Sequence, residues 1–451
     1  MTATVSSPGG TSRAPAPIPT AGHHRVAAWL LVAVVALSVL GALAPRFPGW
    51  IAGVLAWVAC LLLWRKIPVR QTRVTIALML VGAVGIALGI ADGQHGLVDR
   101  ALAQNTPLIG MLIAVSFLQL ISVSRTTVEQ PLGKGRAALA RTLVGVHLFG
   151  AVINFSAVAI FADRLSTRRP LTLTQAMALS QAFIVGAAWS PFYGAMAVAL
   201  TIAPQASVTL LIALGMPVAL VGMTVTWLLL TRPRHDHGAG FEGYPLRLES
   251  LWVPAVLAVG VLVLHEWQPR WSLLSIIAAL APLVTVITLL VRDGGGAWPA
   301  LQRLVTVRLP ETGGENALFL SAGVLAAGMT GMIAAFDLAV PFQRYGAVEA
   351  SITFVVTNLF AWIGFHPVIL ASVIGPWLAP LDPDPNLVAM TFLMSWGVAL
   401  PACPMSNTIL ALHGRYGISM RALLAGNRVF SALLTAVGIA VMFLYGAWRG
   451  V

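Results

Sequence analysis

The residues that could do chemistry sit where proline, glycine and small polar side chains interrupt long apolar runs. In the first half of the chain these are Asn154-Phe155-Ser156 and, further on, Ala187-Ala188-Trp189-Ser190-Pro191. In the second half, Gly364-Phe365-His366-Pro367 and then Pro401-Ala402-Cys403-Pro404-Met405-Ser406-Asn407-Thr408 take the same places. Proline lacks an amide proton and clashes with the preceding turn, so a helix opens there. A helix opened inside lipid leaves peptide groups unpaired at several kcal/mol each, which a protein tolerates only where they face a buried polar site. Freed amides at a helix start then suit anions, and freed carbonyls suit Na⁺. The candidate solute- or ion-binding residues are therefore Asn154, Ser156, Trp189, Ser190, Pro191, His366, Pro404, Ser406, Asn407 and Thr408.

Each of these also has a plainer reading. Asn154 and Ser156 contact solute or cation at a hairpin tip, or they hydrogen-bond across helices. Ser190, Ser406, Asn407 and Thr408 bind solute, or they re-satisfy backbone that the prolines free. Trp189 stacks on an organic substrate or simply packs. His366 binds an anion when protonated, relays a proton, or stays neutral inside the bundle. His147 lies nearer the end of its arm and reads as structural. Cys403 is a small apolar filler whose thiol matters only for a soft solute such as arsenite. None of the 15 acidic residues falls in the middle of these interrupted stretches. Asp163 and Asp337 stand near span ends. That disfavours a cation/proton antiporter, which needs a buried carboxylate, and favours an anion held by helix ends and hydroxyls. No metal-ligand spacing, phosphate-binding loop or catalytic triad is present, so neither an enzyme nor a cofactor is expected, and Gly294-Gly295-Gly296 reads as a plain loop. Cys60 and Cys403 lie in apolar stretches and form no disulfide framework.

The elements that position these residues follow from composition. Of 451 residues, 58% are hydrophobic and 9% charged, against about 25% charged in soluble proteins. A soluble enzyme, a nucleic-acid binder and a disordered chain are excluded; an all-α polytopic membrane protein is left. The net charge of +12 is spread between apolar stretches without a long basic run, as topology requires and nucleic-acid binding does not. Residues 1–24 read as a disordered tail and 232–249 as a cytoplasmic joint between halves 25–231 and 250–451. Spans of about 20 apolar residues run from Val26 to Ala44, Gly49 to Trp64, Val74 to Ala91, Thr106 to Val123, Ser207 to Leu230, Leu248 to His265, Leu273 to Val291, Asn316 to Phe336 and Arg428 to Gly446.

Two segments break the alternation of charge. Residues 142–162 are flanked on both sides by basic clusters, Arg136 and Arg141 before and Arg164, Arg168 and Arg169 after, and so read as a hairpin entering from the cytoplasm. Residues 350–379 have acidic outer flanks, Glu349 and Asp382, and read as a hairpin from the other face. Interrupted helices, 173–203 and 387–412, follow each hairpin. The sum is about eleven crossings and two re-entrant hairpins in an inverted repeat, with the N-terminus cytoplasmic and the C-terminus outside.

At these residues the sequence resembles the ion transporter superfamily, most closely the divalent anion:sodium symporters and the citrate and arsenite permeases. Leu400-Pro401-x-x-x-Pro404-x-x-Asn407 is similar to that family's unwound, Asn-bearing stretch. The resemblance implies a homodimeric, elevator-type carrier. The family's Ser-Asn-Thr tip motif is absent from both tips; Ser406-Asn407-Thr408 spells it in the interrupted helix instead. Either Na⁺ or H⁺ is thus open as coupling ion. The expected function is a secondary active transporter of a small anionic solute, an organic acid or oxyanion, in a bacterial inner membrane. The alternatives are an efflux permease for a toxic oxyanion or antimetabolite and a non-transporting membrane scaffold. The expected partners are the solute, the bilayer and a second copy, with no nucleic acid.

Overall fold

A computed structural model describes residues 22–44, 46–122, 132–167, 169–232, 240–244 and 252–451. Among them the chain is helical almost throughout, and the sheet is a single pairing of Gly133–Lys134 with Glu242–Gly243. Eight helical stretches are long and apolar enough to cross a bilayer. Their outward faces carry residues such as Leu220, Val263, Val291 and Leu444, as lipid contact demands. The protein is an all-α polytopic membrane protein.

One group of helices is built on α1 (Gly22–Leu43), α2 (Trp50–Leu63), α3 (Val69–Ala91), α4 (Leu97–Ala103) and α5 (Thr106–Ser116). It also holds α12 (Leu273–Asp293), α13 (Ala297–Arg303) and α14 (Gly313–Phe336). Its tightest seam runs between α3 and α14, where Gly82, Gly85 and Gly89 face Val324, Gly328 and Gly331. A Cβ on Gly82 would stand 2.6 Å from the Val324 carbonyl oxygen. Only bare backbone allows that approach, the usual device for joining helices in lipid.

The second group carries the interruptions. Helix α6 (Gly135–Ile153) stops at Asn154, and α7 (Ser156–Leu165) doubles back, so that Phe149 and Phe161 meet with ring centroids 6.1 Å apart. Helix α8 (Leu173–Ile184) tightens into a 3₁₀ turn at Val185–Ala188 before α9 (Gly194–Ile202) begins. Helix α10 (Val208–Leu230) packs beside that turn, and α11 (Trp252–Trp267) packs on α12. Helix α15 (Ala347–Ile363) ends at Gly364, with φ 114°, and α16 (Pro367–Leu378) follows. The Trp377 indole at the end of α16 donates to the Ala339 carbonyl at 3.2 Å, beside the linker that leads into α15. Helix α17 (Pro385–Ala399) gives a 3₁₀ turn at Leu400–Ala402 and then α18 (Asn407–Tyr416), after which α19 (Met420–Arg449) closes the chain.

Some expectations change. Among the described residues eight stretches are long and apolar enough to cross, and they do not map one to one on the eleven read from sequence: α2, α8 and α11 are shorter, α12 to α14 count as one stretch, and the hairpin arm α6 is long enough to be included. Helices α12 and α14 are also joined by continuous helical structure rather than separated by a loop. The supposed loop at Gly294–Gly296 is a 3₁₀ turn leading into α13, a π-helical Leu304–Arg308 and a 3₁₀ Leu309–Thr312. The three glycines misled because they are compatible with a tight helical turn as well as with a loop. The tail ends earlier than 24, since α1 begins at Gly22. The rest of the tail, Arg168, most of the 232–249 joint and the start of the Leu248 span lie outside the described residues.

Candidate functional site

Each interruption is held by a specific set of bonds. At Asn154 the backbone takes φ 54° and ψ −142°, outside the helical regions, so the helix cannot continue through it. Its Oδ1 accepts from the Phe155 amide at 2.8 Å, replacing the helical partner that amide has lost. The carbonyl freed on the other side, Ala151, takes a short hydrogen bond from the Ser190 hydroxyl. Ser190 also accepts from the Phe192 amide at 3.3 Å. The Asn154 amide stands 3.5 Å from the Phe192 carbonyl. The first tip and the first interrupted helix are thereby bolted together.

His147 secures the same junction. Its Nδ1 donates to the Ala182 carbonyl at 2.9 Å, and its Nε2 accepts from the Trp189 indole at 3.1 Å. A carbonyl can only accept and an indole can only donate, so the imidazole is neutral with its proton on Nδ1. The Tyr193 hydroxyl donates to the Phe183 carbonyl at 2.7 Å.

In the second half the support comes from α19. Fully buried Asn427 donates to the Pro401 carbonyl at 2.7 Å and accepts from Gln181 at 2.8 Å. Ser431 donates to the Val398 carbonyl at 2.7 Å and accepts from the Trp362 indole at 3.0 Å. These carbonyls are ones whose helical partners the Pro401–Pro404 break removes. His366 caps α16, its Nδ1 accepting from the Val368 amide at 3.3 Å.

A cavity of about 1200 Å³ lies where these breaks meet. Asn154, Ser156, His366, Ser406, Asn407 and Thr408 line it. Trp189, Ser190, Pro191 and Pro404 do not; Trp189 and Ser190 instead bond to His147 and the Ala151 carbonyl behind the wall. Cys403 is fully buried behind the same wall, its sulfur 3.9 Å from the Phe365 carbonyl. Phe319 and Trp396 stack in the wall with centroids 6.2 Å apart, and His366 meets Trp396 edge-on at 4.9 Å.

Helices α7, α9 and α18 all start at this cavity after a break in the helix, and none has a side-chain cap there. Elsewhere starts of both kinds occur: Thr172, Ser207, Ser272, Asp384 and Ser419 cap α8, α10, α12, α17 and α19, while α2 to α6 have no side-chain cap. Ser406, a good capping type, precedes α18 without bonding to it. Each bare start presents unpaired amides and roughly half a positive charge.

Charged residues that sequence reasoning passed over complete the lining: Lys66, Asp163, Arg303, Arg308, Glu311, Glu315 and Arg415. Arg308 pairs with Glu311 at 3.4 Å and Arg415 with Asp163 at 2.8 Å. Glu315, in the first turn of α14, has no ion pair among the described residues. The cavity is therefore not free of carboxylates, as the placement of acids outside the interrupted helices had suggested, and arginines reach it directly. The acids enter through α7, the 3₁₀ turn Leu309–Thr312 and α14 rather than through the breaks. The available signal for Glu315 was an acid immediately before a long apolar run, at Gly314-Glu315-Asn316. No cluster of three or more metal-ligating side chains occurs among the described residues.

No protein-family model matches the chain, and no curated protein matches it. Among solved structures it is similar to the Alcanivorax borkumensis YdaH transporter, described as having an unusual topology, at 15% identity and a TM-score of 0.38. The alignment covers 95% of this chain and 98% of that one. A likeness at this level carries no function from one protein to the other.

Proposed function

We propose that the protein is a secondary transporter of a small anion, an organic acid or oxyanion, bound in the 1200 Å³ cavity. The observation that carries this reading is the convergence of uncapped helix starts and small polar side chains from both halves of the chain on one cavity. Three bare helix starts favour a negative group there. Hydroxyls and amides of Ser156, Ser406, Thr408, Asn154 and Asn407 supply directional bonds to it. A membrane scaffold would have no use for repeated interruptions, each of which exposes peptide groups at a cost of several kcal/mol.

The carrier reading extends to how the anion crosses. The cavity passes from an exposed rim of Lys66, Arg303, Arg308 and Arg415 to buried His366, Ser406 and Thr408. Basic residues collect on the cytoplasmic side, so the conformation is inward-open, with the N-terminus inside. The hairpins enter from opposite faces, and the interrupted group moves against the α3–α14 scaffold as an elevator, driven by Na⁺ or H⁺.

The test is uptake of labelled succinate, citrate and sulfate into proteoliposomes under imposed Na⁺ or H⁺ gradients. Gradient-dependent uptake of at least one of them, abolished by Asn154→Ala and Asn407→Ala in protein that still inserts, supports the reading. Uptake unchanged in both variants would sink it.

A further inference from the structure

A carboxylate in the last turn of a helix is in the wrong place for the helix dipole, which favours cations there. Asp163 holds that position on α7, two residues before its end. What neutralises it comes from the last turn of another interrupted helix, 252 residues away in sequence: Arg415 Nη2 donates to Asp163 Oδ2 at 2.8 Å. The Tyr416 hydroxyl donates to Asp163 Oδ1 at 2.6 Å and stands 3.4 Å from the Ala159 carbonyl. Both carboxylate oxygens are thus taken by α18.

The lengths on either side match. Asp163 lies seven residues beyond Ser156, the first of α7, and Arg415 eight beyond Asn407, the first of α18. At 1.5 Å per residue these are about 10 and 12 Å. A clamp at that distance brings two uncapped starts to the same depth in the cavity, where Ser156 and Asn407 both line it.

We propose that Asp163 is a positioning residue: through Arg415 and Tyr416 it locks α7 and α18 in parallel register so that their starts act on one anionic group. The inference rests on the carrier reading for its consequence, but the register itself can be measured without any solute. The pair is exposed, with side-chain accessibilities of 54% for Arg415 and 47% for Asp163. It therefore contributes little to stability, and removing it is expected to shift the unfolding temperature by no more than about 2 °C.

The experiment places spin labels at Ile160 on α7 and Ala411 on α18 of the full chain in nanodiscs and measures their distance distribution. A single narrow distance is expected, broadened at least twofold by Asp163→Ala and narrowed again in the charge-exchanged D163R/R415D protein. For whichever of succinate, citrate or sulfate is transported, Asp163→Ala should raise the half-saturating concentration at least fivefold and leave the saturated rate within twofold. Identical distance distributions with and without Asp163 would overturn the clamp. No uptake of any probe by the wild-type protein would instead overturn the carrier reading, whatever the distances show.

Discussion

Gly215 offers the sharpest perturbation of the interrupted helices, because it touches no cavity residue and removes no hydrogen bond. It lies on α10 against the 3₁₀ turn that ends α8. A Cβ built there overlaps the Ala188 carbonyl oxygen, stands 2.7 Å from the Ala188 carbonyl carbon and 3.2 Å from the Trp189 Cα. All three are backbone atoms, so no side chain can rotate away. Restoring carbon–carbon contacts of 3.5–4.0 Å requires the turn and α10 to separate by about 1 Å. The Trp189 indole reaches His147 across 3.1 Å, and a displacement of that size takes it out of hydrogen-bonding range. Overpacking of this kind costs about 1–3 kcal/mol. Gly215→Ala should therefore lower thermal stability in detergent modestly and cut transport at least tenfold. The control is Gly260→Ala on α11, where a Cβ meets nothing within 4 Å. There the better helix propensity of alanine, about 1 kcal/mol, should leave stability equal or raised and transport intact. If Gly215→Ala transports at the wild-type rate, the interruption does not need its observed geometry, and the reasoning from bond network to site is wrong.

Three further outcomes follow. Asn427→Leu removes bonds to Pro401, Gln181 and Ser180. At about 0.6 kcal/mol each inside a membrane protein, chemical unfolding should report a loss of about 2 kcal/mol, and a loss below 0.5 kcal/mol would contradict the role given to α19. His366→Asn should keep most transport because asparagine also caps well, whereas His366→Ala loses a cap worth about 1 kcal/mol and transports poorly; complete loss in the asparagine variant would mean that the imidazole itself meets the solute. At alkaline pH, where the Glu315 carboxyl is ionised, Glu315→Gln removes a like charge from the cavity. Across a cavity of about 1200 Å³ the charges are ~10 Å apart, where a unit charge contributes about 0.4–1.7 kcal/mol at an effective dielectric of 80 to 20. Half-saturation by the anion should thus fall by about two- to fifteen-fold, and a rise would show that Glu315 binds the solute or its coupling ion.

The interruptions were legible because each is written in local chemistry: Asn154 and Ser156 put polar groups into an apolar run, Gly364 sits at φ 114°, and Pro401 and Pro404 bracket the second break. The supports were not legible. Asn427 and Gln181 are 246 residues apart, and nothing in either neighbourhood names the other. Hydrophobic patterning also says which stretches are long and apolar, but not where a polar linker folds. The run that opens with Gly294-Gly295-Gly296, which reads as a loop, continues to 312 with prolines and charges. Its helical turns bring Arg303, Arg308 and Glu311 to the cavity, and Glu315 joins them at the start of α14. The division of the candidate residues into lining and support has the same origin. Ser190 and Asn407 look alike in sequence as polar residues near prolines, and only packing sends one hydroxyl to the Ala151 carbonyl and leaves the other side chain facing the cavity.

The most direct measurement compares thermal stabilisation of the purified protein by small anions with that by their uncharged amides: succinate against succinamide, citrate against citramide, acetate against acetamide. A ligand at 100 times its dissociation constant stabilises by about 2.7 kcal/mol. At least one anion should therefore raise the unfolding temperature by several degrees while its amide does not, and Asn407→Ala should erase the difference. Equal responses to charged and uncharged members of every pair would contradict the claim that bare helix starts in this cavity select negative charge.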